Sequence, residues 1–130
     1  MKQILIIEDD VINCMVYEEI LSDKLVNIDF AYDGQQGLDK FKEKNFDLIL
    51  LDLELPKIHG LQVAKLIREH ETKNPVTIKT PIIIITANNF PGTQNLAIEA
   101  GGDAFLIKPF DIHVLRKLVK LYLHKFADIV

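Results

Sequence analysis

Two stretches decide the fold: "ILIIEDD", Ile4–Asp10, and "LILLDLELP", Leu48–Pro56. In each, four apolar residues run without interruption into acid, Glu8-Asp9-Asp10 in the first and Asp52 in the second. A continuous apolar run of this length reads as a strand buried on both faces. Charge set directly at its end therefore belongs on a rim, where the strand leaves the core.

Three more short runs follow the same logic: Ile28–Ala31, Ile82–Ile85 and Ala104–Ile107. Four of the five are nearly continuous and predict strands covered on both sides. The exception, "NIDFAY", alternates more, which predicts a position nearer an edge. Helical spacing separates the runs. Gly60, Val63, Ala64 and Ile67 recur at i, i+3, i+4 and i+7, as do Leu115, Leu118, Val119 and Tyr122, while Leu38 and Phe41 mark a shorter face. Asp10, Asp33, Thr93 and Asp111 stand where helix N-caps belong. Pro75 and Pro81 punctuate the loop after the third helix, and Pro91-Gly92 the loop before the fourth.

Strict alternation of strand and helix implies a parallel sheet with helices on both faces. In such open sheets ligands gather beyond the carboxyl ends of the strands. The acids after strands one and three then share one rim with Thr86 at the end of strand four and Lys108 at the end of strand five. Crowded carboxylates take up protons or recruit a cation. Mg²⁺ suits such a place, because it binds one or two carboxylates together with waters and phosphate. A lysine beside them can neutralise a phosphoryl group, a hydroxyl can donate to one, and a carboxylate can attack phosphorus. Taken singly, each residue has an ordinary structural role, such as a cap, a solvated loop acid or a surface lysine. Their coincidence on one rim carries the inference.

The chain has 130 residues, a length suited to one domain, 1–130, with a real core. Its net charge of −4 argues against a broad nucleic-acid or anionic-membrane surface. No apolar run approaches the ~20 residues of a bilayer span, and the residues after Met1 carry no signal-peptide pattern. Cys14 is the one cysteine, which excludes an intrachain disulfide and fits a cytoplasmic setting. His59, His70, His113 and His124 are scattered and read as surface residues; Lys117, Lys120 and Lys125 read as solvated rather than DNA-binding. The residues after the last helix leave no room for an output domain, so the expectation is either a stand-alone unit or one cut from a larger protein.

At this point the sequence closely resembles the receiver domain of two-component response regulators, from Ile4 to about Lys125. The resemblance rests on Glu8-Asp9 in "IIEDD", Asp52 in "LLDLELPKIHG", Thr86-Ala87 in "IIITAN" and Lys108-Pro109 in "AFLIKPF". It implies a flavodoxin-like (βα)5 doubly wound α/β fold with five parallel strands in the order 2-1-3-4-5. Asp52 would be the phosphoacceptor, with Asp9 and Asp52 as direct ligands of Mg²⁺ (or Mn²⁺). Glu8 would act through water, and the backbone carbonyl of Glu54 would add a ligand. Lys108 would pair with the phosphoryl group, Thr86 would bond to it after transfer, and Phe105 would be the aromatic switch residue. Ala87 would keep the space beside the site open, and the Lys108–Pro109 bond is expected to be cis. The implied donor is a histidine kinase or histidine phosphotransfer domain. The implied output is a protein target, or a second copy in a homodimer, at the face of helix four, strand five and helix five. The only catalysis implied is the domain's own phosphotransfer and slow dephosphorylation.

Departures are few. Glu8 replaces the more frequent Asp, Leu55 a frequent Met, and Phe105 a Tyr, and the loop "HETKNPVTIKTP" is somewhat long. The rival readings are a haloacid-dehalogenase-like phosphohydrolase, a nucleotide or flavin domain, and a phosphorylation-independent interaction module on the receiver fold. The first needs an Asp where Glu54 stands. The second needs a phosphate-binding loop where "EDDVIN" stands, and the third usually lacks one of the acids, the Thr or the Lys.

Overall fold

A computed structural model describes residues 1–74 and 78–124. Pro75 and Lys125 lie outside the described residues. Five units of strand and helix alternate: β1 Lys2–Ile7, α1 Val11–Leu21, β2 Val26–Ala31, α2 Gly34–Glu43, β3 Leu48–Asp52, α3 Gly60–Lys73, β4 Ile82–Thr86, α4 Thr93–Glu99, β5 Ala104–Ile107 and α5 Ile112–Leu123. All four strand pairings are parallel, and the order is β2-β1-β3-β4-β5. This is the doubly wound sheet that the alternation predicts.

Strand periodicity divides the core into two. Ile4, Ile6, Leu48, Leu50, Ile83 and Ile85 point to one face, where Tyr17 and Leu21 of α1 and Leu115 and Val119 of α5 cover them. Leu5, Ile7, Ile49, Leu51, Ile82 and Ile84 point to the other, under Leu38 of α2, Val63 and Ile67 of α3 and Ala97 of α4. Every residue of β3 and β4 is buried. Each such aliphatic side chain contributes about 1.5–3 kcal/mol, so these two central strands anchor the fold. β2 lies at an edge and is mostly half-buried, as its alternation predicts. β5 differs from expectation. At the edge that the order 2-1-3-4-5 implies, its residues are half-buried and Ile107 is exposed, so its apolar run is not covered on both faces as that run alone predicts.

Asp10, Asp33 and Asp111 cap α1, α2 and α5, each accepting from backbone N–H groups of the first turn. Thr93 does not cap α4. It is the first helical residue, preceded by Gly92 at φ +88°, and its hydroxyl turns to the Asn88 side chain instead. A left-handed cap residue leaves no side chain to serve the first turn, which is why the Gly displaces the Thr from that role. His59 is solvent-exposed as expected and also caps α3 through its ring nitrogen. His113 and His124 are exposed and His70 is half-buried against Phe41. Cys14 is buried, its thiol directed at the Glu8 carbonyl.

Candidate functional site

Parallel register brings the ends of β1, β3, β4 and β5 to one rim. Ile7 pairs with Leu51, Asp52 with Ile85, and Thr86 with Ile107, so Glu8, Asp52, Thr86 and Lys108 arrive side by side. The Lys108–Pro109 bond is cis, as expected. The rim opens as a shallow pocket lined by Glu8, Asp9, Asn13, Asp52, Glu54 and Lys108, with Ala87, Asn88 and the exposed ring of Phe90 along one side.

Lys108 organises the charge. Its Nζ lies 2.8 Å from Asp52 Oδ2 and 3.1 Å from Glu8 Oε1. Glu8 is only 2% exposed and Asp52 7%, so a single ammonium faces two nearly dry carboxylates. Burial, and then the charge of Asp52, push the Glu8 carboxyl up to about 7 against the pull of Lys108. Burial tends to lower the Lys108 ammonium, but its hydrogen bond to Asp52 and the charges of Asp52 and Glu8 outweigh that and hold it above its ordinary range. Asp10 is spent on capping, and its backbone N–H also donates to Glu8 Oε2.

One carboxylate oxygen from each of Glu8, Asp9 and Asp52 lies within 4.8 Å of the others. Three hard oxygen donors on a partly open rim fit a divalent cation that keeps some of its water. The residues present therefore suit the Mg²⁺ that the sequence implies.

The Asp52 carboxylate is aimed by its own loop. Its Oδ1 accepts the Glu54 backbone N–H at 2.9 Å. Gly60 donates to the Leu53 carbonyl at 2.8 Å and closes the β3–α3 loop. A Cβ at Gly60 would lie 2.4 Å from the Asp52 carbonyl oxygen, so only glycine permits this approach.

Thr86 is wholly buried. Its hydroxyl is not directed at Asp52. It donates to the Glu54 carboxylate, 2.6 Å from Oε1 and 2.8 Å from Oε2, and accepts from the Asn88 backbone N–H at 3.1 Å. Phe105 is half-buried against the core on the α3–α4 side of the sheet.

The structure thus gathers Glu8, Asp9, Asp52 and Lys108 into one cluster and sets Thr86 and Glu54 as a second pair beside it. Two contributions escaped the sequence reading. Asn13 donates from its side-chain amide to Glu8 Oε1 at 3.2 Å. Its position early in α1, five residues past Glu8, is the signal that could have found it. The Glu54 side chain, in a residue assigned only a backbone role from the sequence, accepts the Thr86 hydrogen bond, and no spacing rule reveals a contact between the β3–α3 loop and the end of β4.

Fold and rim together define a doubly wound α/β protein whose strand ends carry a lysine-bridged carboxylate cluster. Known proteins resemble this chain in sequence and fold. The family model of the response regulator receiver domain matches residues 4–120. The response regulator ArlR of Staphylococcus aureus is 39% identical over 125 residues, covering 96% of this chain and 54% of that protein. The chain therefore spans about half the length of this relative. The receiver domain of the Saccharomyces cerevisiae response regulator Ssk1, solved with the histidine phosphotransfer protein Ypd1, superimposes with a TM-score of 0.86 at 30% identity, covering 93% of this chain and 88% of that one. The receiver domain of the sensor histidine kinase PA1611 from Pseudomonas aeruginosa, solved with magnesium in its active-site cleft, gives 0.81 at 29% identity, covering 94% and 97%. This chain belongs to the response regulator receiver domain family. No helix among the described residues is long and apolar enough to cross a membrane.

Proposed function

We propose that this receiver domain is a phosphorylation-activated signalling switch whose phosphoacceptor is Asp52. The observation that carries the reading is the ammonium of Lys108 held between Asp52 and Glu8, with Asp9 on the same rim.

The donor is a phosphohistidine on a histidine kinase or histidine phosphotransfer domain. The Asp52 carboxylate attacks phosphorus, the P–N bond to histidine breaks as the O–P bond forms, and the departing imidazole takes a proton from solvent. Asp52 is oriented for this by the Glu54 N–H on its other oxygen. Lys108 offsets the charge of the equatorial phosphoryl oxygens as they approach. Asp9, Asp52 and the Glu54 carbonyl would hold Mg²⁺, with Glu8 acting through water. When bound, the ion supplies further charge neutralisation for an incoming phosphate. Exposed Val11, Ile12 and Met15 on α1 stand beside the rim and suit an apolar contact with the donor.

Phosphorylation replaces one carboxylate charge with a group of up to about −2. Thr86 then donates to a phosphoryl oxygen and Phe105 repacks into the space left. The face of α4, β5 and α5, where Leu96 and Ile107 are already exposed, changes shape for a downstream protein or a second copy. The chemistry is confined to the domain's own phosphotransfer and slow dephosphorylation, in a cytoplasmic setting. The complete rim favours this reading over a phosphorylation-independent interaction module.

Incubation with acetyl phosphate and Mg²⁺, read by intact mass, tests the reading. One added phosphoryl group, lost with EDTA and in Asp52→Asn, is the expected result. Uptake by Asp52→Asn at native stoichiometry would refute the acceptor assignment. No uptake, from acetyl phosphate or from a phosphorylated histidine phosphotransfer domain, would favour the interaction module.

A further inference from the structure

The second pair on the rim, Thr86 and Glu54, has a consequence for how the switch is set. A hydroxyl has one proton to donate. In the unphosphorylated chain that proton lies between the two oxygens of the Glu54 carboxylate, at 2.6 and 2.8 Å. Hydrogen bonds of an O–H to a carboxylate at such distances are among the strong ones. Thr86 is fully buried while Glu54 is exposed, so water reaches only the acceptor side of this bond. The Asn88 N–H on the same oxygen fixes the hydroxyl further. Glu54 is itself tied to the reacting group, because its backbone N–H donates to Asp52 Oδ1.

We infer that the Glu54 side chain is an inhibitory latch, which holds the Thr86 hydroxyl away from Asp52 and must release it before the phosphorylated state is reached. The inference rests on the reading of Asp52 as phosphoacceptor and Thr86 as its switch partner. The backbone of Glu54 aims the acceptor while its side chain opposes the response. The latch raises the threshold for switching and keeps the unphosphorylated chain off.

Removing the carboxylate also removes a negative charge near the phosphoryl site, which by itself favours anions. A double-mutant cycle separates the two effects. Wild type, Glu54→Ala, Thr86→Val and the double variant are titrated with beryllofluoride in saturating Mg²⁺, and the bound ¹⁹F resonance gives occupancy. The latch predicts that Glu54→Ala lowers the half-saturating beryllofluoride concentration about tenfold, the scale of one hydrogen bond to a charged group. In the Thr86→Val background the same substitution gives a clearly smaller gain, the electrostatic part alone. Glu54→Gln, which loses the charge but keeps an acceptor, falls between. Equal gains from Glu54→Ala with and without the Thr86 hydroxyl would overturn the latch and leave only electrostatics. Thr86 side-chain couplings in the unphosphorylated protein supply a readout that needs no phosphoryl group: one rotamer in wild type, averaging in Glu54→Ala. A single rotamer in both would also overturn the latch. A wild-type chain that binds no beryllofluoride and takes no phosphoryl group overturns the phosphoacceptor reading, and the latch falls with it even if Thr86 is released.

Discussion

The Nζ of Lys108 lies 2.8 Å from Asp52 Oδ2, and the same nitrogen reaches Glu8 Oε1 at 3.1 Å. One cation therefore offsets two buried carboxylates, and removing it leaves both uncompensated. Lys108→Ala is expected to lower stability by about 3 kcal/mol in EDTA, the low end for opening a buried pair because Lys108 keeps 23% exposure. For a domain of this size that is roughly 10 °C in Tm. Millimolar Mg²⁺ should recover more stability in the variant than in wild type, because a cation replaces the lost one. Melting curves with EDTA and with Mg²⁺ check both points, and an unchanged Tm in EDTA would show that the bridge contributes nothing.

Glu8 gives the site a pH signature. Its carboxyl is raised from 4.5 to about 7, by burial first and Asp52 second. Between those values the native state keeps a proton that the unfolded chain has released. Native stability thus falls as pH rises through this window and levels off above it. Glu8→Gln mimics the protonated form at every pH. Without metal it should match wild type near pH 4, and exceed it at pH 8 by up to about 3 kcal/mol. Urea titrations at the two pH values decide this, and an equal offset at both would dissociate the shift from Glu8.

How far the sequence carried this site depends on what positions each residue. Glu8, Asp52, Thr86 and Lys108 stand at the carboxyl ends of parallel strands, and parallel register alone brings strand ends together, so their meeting was legible from apolar runs. The central strands were equally legible, because runs such as Ile82–Ile85 consist of large aliphatic residues throughout and are buried on both faces as read. Edge status was half legible. Alternation marked β2, whereas the apolar run of β5 read as covered on both faces and only the resemblance, through the order 2-1-3-4-5, put it at an edge. Side-chain contacts made by loop residues were not legible. The Glu54 carboxylate meets Thr86 across 32 residues of sequence, through side-chain geometry that no period encodes. Thr93 was misread as a cap because the rule weighs side chains, whereas Gly92 at φ +88° sets that helix start with its backbone.

Two glycines separate steric need from conformational need. At Gly60 an added Cβ would meet the Asp52 carbonyl oxygen at 2.4 Å and Leu53 Cα at 2.5 Å, both backbone. Neither can yield without moving the loop that aims Asp52. Gly60→Ala should cost about 2–3 kcal/mol or more and slow phosphoryl uptake. At Gly92 nothing lies within 4 Å, and the cost is the left-handed backbone alone, about 1 kcal/mol. Gly92→Ala should leave uptake from acetyl phosphate unchanged. Denaturation midpoints and phosphorylation rates of both variants test the contrast, and equal losses would mean that the close approach at Gly60 is not what the loop requires.

The far end of the sheet is held by Arg68, and its loss should separate stability from chemistry. Its guanidinium donates to the carbonyls of Thr80 and Gly101, to Glu71 Oε1 at 2.7 Å and to Asp103 Oδ2 at 2.9 Å. Glu71 is 7% exposed, and its other oxygen takes the Thr80 N–H. One side chain thus ties α3 to the segments entering β4 and β5, at the end of the sheet opposite Asp52. Arg68→Ala strands the Glu71 carboxylate and should cost about 3–5 kcal/mol. Replacing both partners by apolar residues, as Arg68→Met with Glu71→Leu, removes the stranded charge and should recover a large part of that loss. Below their melting temperatures both variants should take up phosphoryl to the wild-type extent, because no group on the rim touches Arg68. Urea unfolding of the two variants, with intact mass after acetyl phosphate treatment, gives both quantities. A double variant no more stable than Arg68→Ala would place the loss in the carbonyl contacts to Thr80 and Gly101 rather than in the buried pair.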